Sequence, residues 1–498
     1  MSPSDLRATA YRGIKWSALA AYAGRFARLI TLLILMALLD EGEFGVLAIA
    51  SIVIVVSQVF CEAGVGQALI WHRGKHSDDP SVAMDTGFVI VSVMNLTVIT
   101  LMVLAAPWVA AFFNEPRAIP VIRVLLLAMA LSSLTIVPRS MLERDLRFKR
   151  AVLPEVIPAI ASGFVSIPLA ILWHSVWALV AGQLTSAVIR LVLYAWAAGW
   201  RPRGRYDRQV GRDLLLYAVP LLGVALIGVF VLIIPSGTIG HLLGTEALGV
   251  FEIANRIASF PFFAIIYVVG RVMFPLYTRL RDDRQQLGMA IAETMKLIAL
   301  TAAPLCIGLA VVIPAAELVV FQGKWWALPI PLALMLIRAL QRAAGSVTGD
   351  ALKAIGRPGL LQLVFTIRVA VLLPACITGA LMWGLNGAVL GTLVSSTIVL
   401  GVEASLINRH IGLAPGAILD AIKVPLIAAC LSGIAANVFL WKGLLGPTAL
   451  GLIVGIGAGA VVYALIILRW ERPMLRDLAR AFRPDTDTPL PSIIEEVV

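Results

Sequence analysis

The chain has 498 residues, of which 60% are hydrophobic and only 14% charged; soluble domains carry roughly 25% charged residues, so an ordinary water-soluble fold is excluded. A mean hydropathy of +0.93 places the chain in a bilayer. The net charge of +11 would point to nucleic acid in a soluble protein, but here the cations follow the membrane topology, and no nucleic-acid partner is predicted.

A spanning helix needs roughly 20 mostly apolar residues. In chain order the sequence offers stretches near 14–38, 45–70, 84–113, 118–137, 151–172, 176–199, 213–238, 246–274, 290–316, 327–348, 359–382, 385–407, 416–440 and 446–468, about 14 transmembrane helices. The first is too long for the apolar core of a signal peptide and no small-residue cleavage site follows, so it reads as an anchor. Lys and Arg are retained on the cytoplasmic side. Arg7, Arg12 and Lys15 precede the first span, Arg139, Arg144, Arg147, Lys149 and Arg150 follow the fourth, and Arg201, Arg203, Arg205, Arg208 and Arg212 follow the sixth. Arg279, Arg281 and Arg284 follow the eighth, and Arg469, Arg472, Arg476, Arg480 and Arg483 follow the last. The alternate loops hold only Arg117, Lys324 and Lys442. An even number of spans with both termini cytoplasmic accounts for this pattern.

Phe44-Gly-Val-Leu-Ala-Ile-Ala50 returns 204 positions later as Leu248-Gly-Val-Phe-Glu-Ile-Ala254, and Pro154 and Pro358 share that spacing. Pro168 and Pro374 are 206 apart. Repeats of this length are whole helix bundles, and six spans per repeat is even, so the two repeats run parallel. The sequence therefore divides into a six-helix lobe over 1–200, a cytoplasmic linker over 201–212, a second six-helix lobe over 213–410, two additional spans over 411–468, and a tail over 469–498 that turns acidic and Pro-rich and is expected to be partly disordered.

Three segments resemble polysaccharide flippases of the multidrug/oligosaccharidyl-lipid/polysaccharide exporter superfamily: Glu43-Phe-Gly-Val-Leu-Ala with Glu62-Ala-Gly-Val-Gly-Gln-Ala-Leu-Ile70, then Glu143-Arg-Asp-Leu-Arg-Phe-Lys-Arg150, then Leu243-Gly-Thr-Glu-Ala-Leu-Gly-Val-Phe-Glu-Ile-Ala254. Phe251 stands where that family more often has Tyr. The resemblance covers roughly residues 10–410. It implies two six-helix bundles around a V-shaped cleft, a bacterial inner-membrane location, and transfer of undecaprenyl-pyrophosphate-linked oligosaccharides between leaflets for exopolysaccharide or lipopolysaccharide assembly. It further implies membrane lipids, a polysaccharide polymerase and export machinery as partners.

Ionisable groups at membrane depth carry the functional reading, because a central Arg or Lys costs roughly 2.5–3.5 kcal/mol on insertion scales. Arg25 and Arg28 share a face of the first span, Arg338 and Arg342 share one of the tenth, and Arg190, Arg256 and Arg368 lie within spans. Structural pairing with Glu62, Glu155, Glu252 or Glu403 is the alternative for each. Acids are the fewer, and arginine grips a pyrophosphate bidentately, so Arg25, Arg28, Arg256, Arg338 and Arg342 are the candidate cargo ligands. The resemblance implies that spans one, two, seven and eight line the cleft, which favours the first three. Glu252, one turn from Arg256, reads as an ion pair; Glu62 and Asp85 are candidates for ion coupling or for bonding to a neighbouring helix.

Trp173, Trp177, Trp325, Trp326 and Trp383 read as interfacial anchors, with sugar stacking at Trp325-Trp326 as the alternative. Cys61, Cys306, Cys376 and Cys430 read as packing residues. No catalytic residue, metal site or cofactor is predicted: His72, His76, His174, His241 and His410 lack metal-type spacing, and no phosphate-binding loop or nucleophile elbow occurs. A peptidoglycan-precursor flippase and a drug or cation antiporter of the same superfamily remain the rivals, the latter disfavoured by the arginines. A membrane polymerase or glycosyltransferase would need a long catalytic loop that the chain does not have.

Overall fold

A computed structural model describes residues 22–62, 64–71, 80–145, 147–441 and 446–471. Arg7, Arg12, Lys15, His72, His76, Lys442 and the tail from Arg472 onward lie outside the described residues. Among the described residues every regular element is a helix: α1 (22–38), α2 (Glu41–Glu62), α3 (Val65–Trp71), α4 (Pro80–Phe112), α5 (Ala118–Ser133), α6 (Ile136–Arg144) and α7 (Phe148–Trp173) come first. Then follow α8 (Val176–Ala198), α9 (Arg208–Arg279), α10 (Arg284–Val320), α11 (Pro329–Ala354), α12 (Pro358–Ile411), α13 (Pro415–Trp441) and α14 (Ala449–Trp470). Helix is what a bilayer enforces, since each backbone N–H and C=O must be satisfied within its own segment. Among the described residues eleven segments are long and apolar enough to cross a membrane. Large apolar side chains such as Phe164, Leu172 and Leu381 stand exposed on them, which lipid tolerates and water does not. The chain is a multi-pass membrane protein.

Two of the eleven segments are folded hairpins. In α9 the helix breaks at Gly244, whose φ of 89° favours glycine; Ser236 then donates to Glu252, and Gly240 faces Leu248. In α12 the break is at Trp383 and Gly384. Gly379 meets Gly387 and Gly391 meets Ala375 so closely that a Cβ would fall on the opposing backbone.

The chain forms two compact units, Met1–Ile253 and Ala254–Val498. In the first, the segment expected as a linker is tied down: buried Asp85 accepts from the Arg203 amide at 3.2 Å, and Thr86 accepts from the Asp207 amide at 3.1 Å. Asp207 then caps α9 through the amides of Gln209 and Val210. Val210, Leu214 and Ala218 of α9 share a core with Val65, Leu69 and Met84. Asp85 is thus an anchor for this segment.

The repeated motif also has a packing role. A Cβ on Gly45 would lie 1.9 Å from the Thr245 carbonyl oxygen, and one on Gly249 would lie 2.0 Å from that of Glu41 and 3.0 Å from the Gly45 amide. Both motif glycines meet at one helix crossing that admits no side chain.

In the second unit Tyr277, Leu287, Ile291, Met295, Val347 and Ile407 form the core joining α9 to α12. The last two helices dock on α10: α13 packs against it, Tyr463 of α14 donates to the Leu300 carbonyl at 2.6 Å, and Lys296 pairs with Glu471.

Two sequence readings change. Trp325 is fully buried and its amide donates to Glu317 at 2.9 Å, so it neither anchors at an interface nor stacks on sugar, while its neighbour Trp326 is 79% exposed. Cys430 is exposed on α13, unlike the buried Cys61, Cys306 and Cys376. Pro168 and Pro374 both lie inside helices, but Pro358 opens α12 whereas Pro154 lies within α7.

Candidate functional site

Each unit holds a cluster of ionisable side chains within its spans. In the first unit α1 presents Arg25 and Arg28, α7 presents Glu155, and α8 presents Arg190 and Tyr194; Arg28 interacts electrostatically with Arg190, Glu155 and Arg25. Tyr194 donates to Glu155 at 2.7 Å. Gln58 donates to Glu62 at 2.7 Å, and Arg139 pairs with Glu143 at 2.9 Å. A cavity of about 300 Å³ opens among Gln58, Glu62, Ser132, Arg139, Glu143 and Arg190. In it the Arg190 Nε is buried without a hydrogen-bond partner. Four arginines, Arg25, Arg28, Arg139 and Arg190, thus share this region with three acids, Glu62, Glu143 and Glu155.

The second unit is less balanced. Arg338 and Arg342 on α11 interact electrostatically with Arg368 on α12, and among the described residues the one carboxylate that pairs within this cluster is Glu403, with Arg368. Arg368 Nη2 lies 3.6 Å from Glu403 Oε1, and Thr348 donates to Glu403 Oε2 at 3.1 Å. Gly345 leaves the space, since a Cβ there would lie 2.8 Å from the same oxygen. Arg342 rests its guanidinium 4.2 Å above the ring of Phe262, a cation–π contact. The Nε atoms of Arg338 and Arg368 are buried without hydrogen-bond partners. Bare buried donors on fixed cations suit an acceptor brought by an anionic guest, because leaving them unmet costs free energy.

The structure brings Arg25 with Arg28, and Arg338 with Arg342, into these two clusters. Arg256 is exposed, and Glu252 accepts from Ser236 at 2.8 Å; among the described residues the two do not form an ion pair. Glu62 is exposed toward the polar cavity. Gln58 and Gln67, which also line that cavity, were not singled out from sequence. Their spacing from Glu62 on α2 and across the turn to α3 was the available signal.

Motif residues have structural work as well. Glu43 accepts from the Val176 amide at the start of α8 and meets Arg117 at 3.2 Å. Arg117 also grips Glu115 at 2.8 Å, and Thr245 donates to Glu115 at 3.1 Å.

Residues 34–328, more than half of the chain, match the polysaccharide biosynthesis protein family. The chain belongs to that family. It is 26% identical over 491 residues to the succinoglycan biosynthesis transport protein ExoT of Rhizobium meliloti strain 1021, covering 97% of this chain and 98% of that protein. It is 21% identical to the lipopolysaccharide biosynthesis protein WzxC of Escherichia coli K12, over 79% of this chain and 80% of the relative. Among solved structures, the lipid II flippase MurJ in an inward closed conformation superposes with a TM-score of 0.73 at 12% identity, over 92% of this chain and 99% of that one. An inward-facing multidrug MATE transporter of the MOP superfamily superposes with a TM-score of 0.62 at 14% identity, over 78% and 94%. The chain has the fold of these two transporters, as its sequence motifs anticipated.

Proposed function

We propose that this protein is an inner-membrane flippase that moves undecaprenyl-pyrophosphate-linked oligosaccharide repeat units from the cytoplasmic to the outer leaflet by alternating access, without enzymatic chemistry of its own. The observation that carries the reading is the arginine group of the second unit, where Arg338, Arg342 and Arg368 interact with one another and, among the described residues, Glu403 pairs with Arg368 alone. A small cation would be repelled there, which speaks against the antiporter rival, whereas a pyrophosphate supplies several acceptors to planar guanidinium forks. The polyprenyl tail stays in lipid while the sugars accompany the head. A potential negative inside assists an anionic head by about 2.3 kcal/mol per charge per 100 mV if the full field is crossed.

In this reading the two hairpins and α1 bring the count to fourteen spans, six in each of two parallel repeats, with α13 and α14 outside the duplication and both termini cytoplasmic. A cysteine at position 205 should then resist a membrane-impermeant thiol reagent in intact cells, and one at 245 should react. The reverse labelling overturns the orientation. The cargo is tested in liposomes by following a fluorescent polyprenyl-pyrophosphate oligosaccharide between leaflets, with a peptidoglycan lipid precursor as competing cargo. Arg338→Ala/Arg342→Ala and Arg25→Ala/Arg28→Ala should both slow transfer at matched protein levels. Normal transfer by both double variants would show that the arginines are structural; preference for the competing cargo would favour the rival flippase.

A further inference from the structure

A second cationic site lies in the second unit, away from the membrane-depth cluster. Arg281 and Arg284 at the start of α10, Arg357 just before α12, and Arg409 with His410 in the last turn of α12 line a cavity of about 610 Å³. All four arginines are exposed. Arg281 has Asp282 at 3.6 Å, and Asp283 is occupied in capping α10 through the amides of Gln285 and Gln286. Among the described residues no carboxylate pairs with Arg284, Arg357 or Arg409. His410 Nδ1 donates to the Leu406 carbonyl at 2.9 Å, which leaves its Nε2 uncommitted. The rest of the wall is apolar: Leu360, Leu363 and Leu406 line it, with Leu363 48% exposed.

The topology rule explains why arginines gather at this end of the spans, but it requires only that they be present. It does not require them to converge on a concavity with an aliphatic wall. The loop between α6 and α7 supplies the contrast. There Arg144 and Arg147 are matched by Asp145. Convergent cations at the ends of spans, beside exposed leucine, fit a ligand that is a phosphate on one side and a hydrocarbon on the other.

We propose that this cavity binds the phosphate of an anionic membrane phospholipid, with Arg284, Arg357 and Arg409 as its ligands and the Leu360–Leu363 wall against its acyl chains. The site uses only the position of this end at a membrane surface and does not depend on the transported cargo. A bound lipid would pin the junctions of α9 with α10 and of α11 with α12, where the second unit's helices turn.

Purified full-length protein in detergent provides the test, with lipid retention read by native mass spectrometry. Phosphatidylglycerol should be retained well above phosphatidylcholine. Each arginine removed should weaken retention by about fivefold, the usual effect of one basic residue near an anionic surface. Arg357→Lys should hold most of the binding, while Arg150→Ala, a basic residue in the first turn of α7 outside the cavity, should change nothing. If Arg284→Ala/Arg357→Ala/Arg409→Ala does not fold, competition between the two lipids on the unaltered protein still decides. Equal retention of both lipids, or undiminished binding by the folded triple variant, overturns the site. Displacement of the lipid by inorganic phosphate at comparable concentration would show a phosphate site without lipid recognition. Tighter displacement by polyprenyl pyrophosphate would show a station for cargo instead, and either result overturns the phospholipid assignment. None of these readouts involves transfer between leaflets, so failure here leaves the flippase reading standing.

Discussion

The two units solve the same electrostatic problem differently. In the first, arginines within the spans are nearly matched by acids and joined by a web of Gln58, Glu62, Tyr194, Glu155, Arg139 and Glu143. In the second, one buried carboxylate pairs with Arg368, Arg342 lies over a ring face, and among the described residues no acid pairs with Arg338 or Arg342. The same contrast recurs at the helix ends, where Asp145 attends the first unit's loop and no carboxylate attends Arg284, Arg357 and Arg409 among the described residues. A balanced cluster can hold its geometry alone. A surplus cluster is tolerated because wet space or a guest makes up the deficit, so the second unit is where an anion should matter most.

Removing Glu403 should break this contrast most severely. Its side chain is 5% exposed and that of Arg368 21%, and deleting one partner of a buried pair typically costs about 3–5 kcal/mol. Glu403→Ala should therefore lower the unfolding temperature in detergent far more than Glu62→Ala, whose exposed carboxylate contributes about 1 kcal/mol at most. Adding Arg368→Ala to Glu403→Ala should recover part of the loss, because the two act as a coupled pair. Equal melting of the Glu403 and Glu62 variants would mean that Glu403 is not the keystone of the second cluster.

The next effect is functional. A hydrogen bond to a charged group contributes about 1.5–3 kcal/mol, so Arg338→Ala should slow leaflet transfer by roughly 10–100-fold if it holds a phosphate oxygen. Arg25→Ala should do less, because Arg28 and Arg190 remain beside Glu155 to hold the local field. Lysine at 338 should rescue poorly where the planar fork is needed. If Arg25→Ala proves the more damaging change, the cargo's charge is held by the first unit and the asymmetry drawn here is reversed.

Much of the architecture was legible because bilayer physics writes it in one dimension: apolar length, helix and loop charge all survive in a linear reading. The repeated Gly45 and Gly249 were visible as a pattern, but their reason was not, since it lies in a crossing between residues 204 positions apart where backbone meets backbone. The clusters were half legible. Arg25 with Arg28, and Arg338 with Arg342, are neighbours on single helices, which sequence spacing reveals. Pairings across helices escaped it: Ser236, not Arg256, satisfies Glu252, and Glu43 caps α8 from 133 residues away. Trp325 and Trp326 show the limit most plainly, because adjacent identical residues point to opposite environments and only the fold of the turn at 321–328 decides which is buried.

The smallest expected effect concerns the turn at Glu115. Arg117's hydrogen bonds hold the Glu115 carboxyl below the ordinary carboxylate range, opposed by partial burial and aided by the Thr245 hydroxyl. In the second unit the buried Glu317 is instead occupied by the Trp325 amide. A depressed carboxyl pKa stabilises the folded state fully above the unfolded value of about 4.3, and that contribution disappears as pH falls through the lower folded value. Arg117 is 59% exposed, so solvent screening limits the gain to about 1 kcal/mol or less. Between roughly pH 5 and pH 3 the unaltered protein should therefore lose slightly more of its melting temperature than Glu115→Gln, which keeps a partner for Thr245 but cannot ionise. Because Thr245 also covers Gly45 at the motif crossing, Thr245→Val tests the route: it should leave the pH response largely intact, since Arg117 is the stronger partner. If Thr245→Val flattens the response as fully as Glu115→Gln does, the hydroxyl governs this carboxylate and the ion pair is incidental.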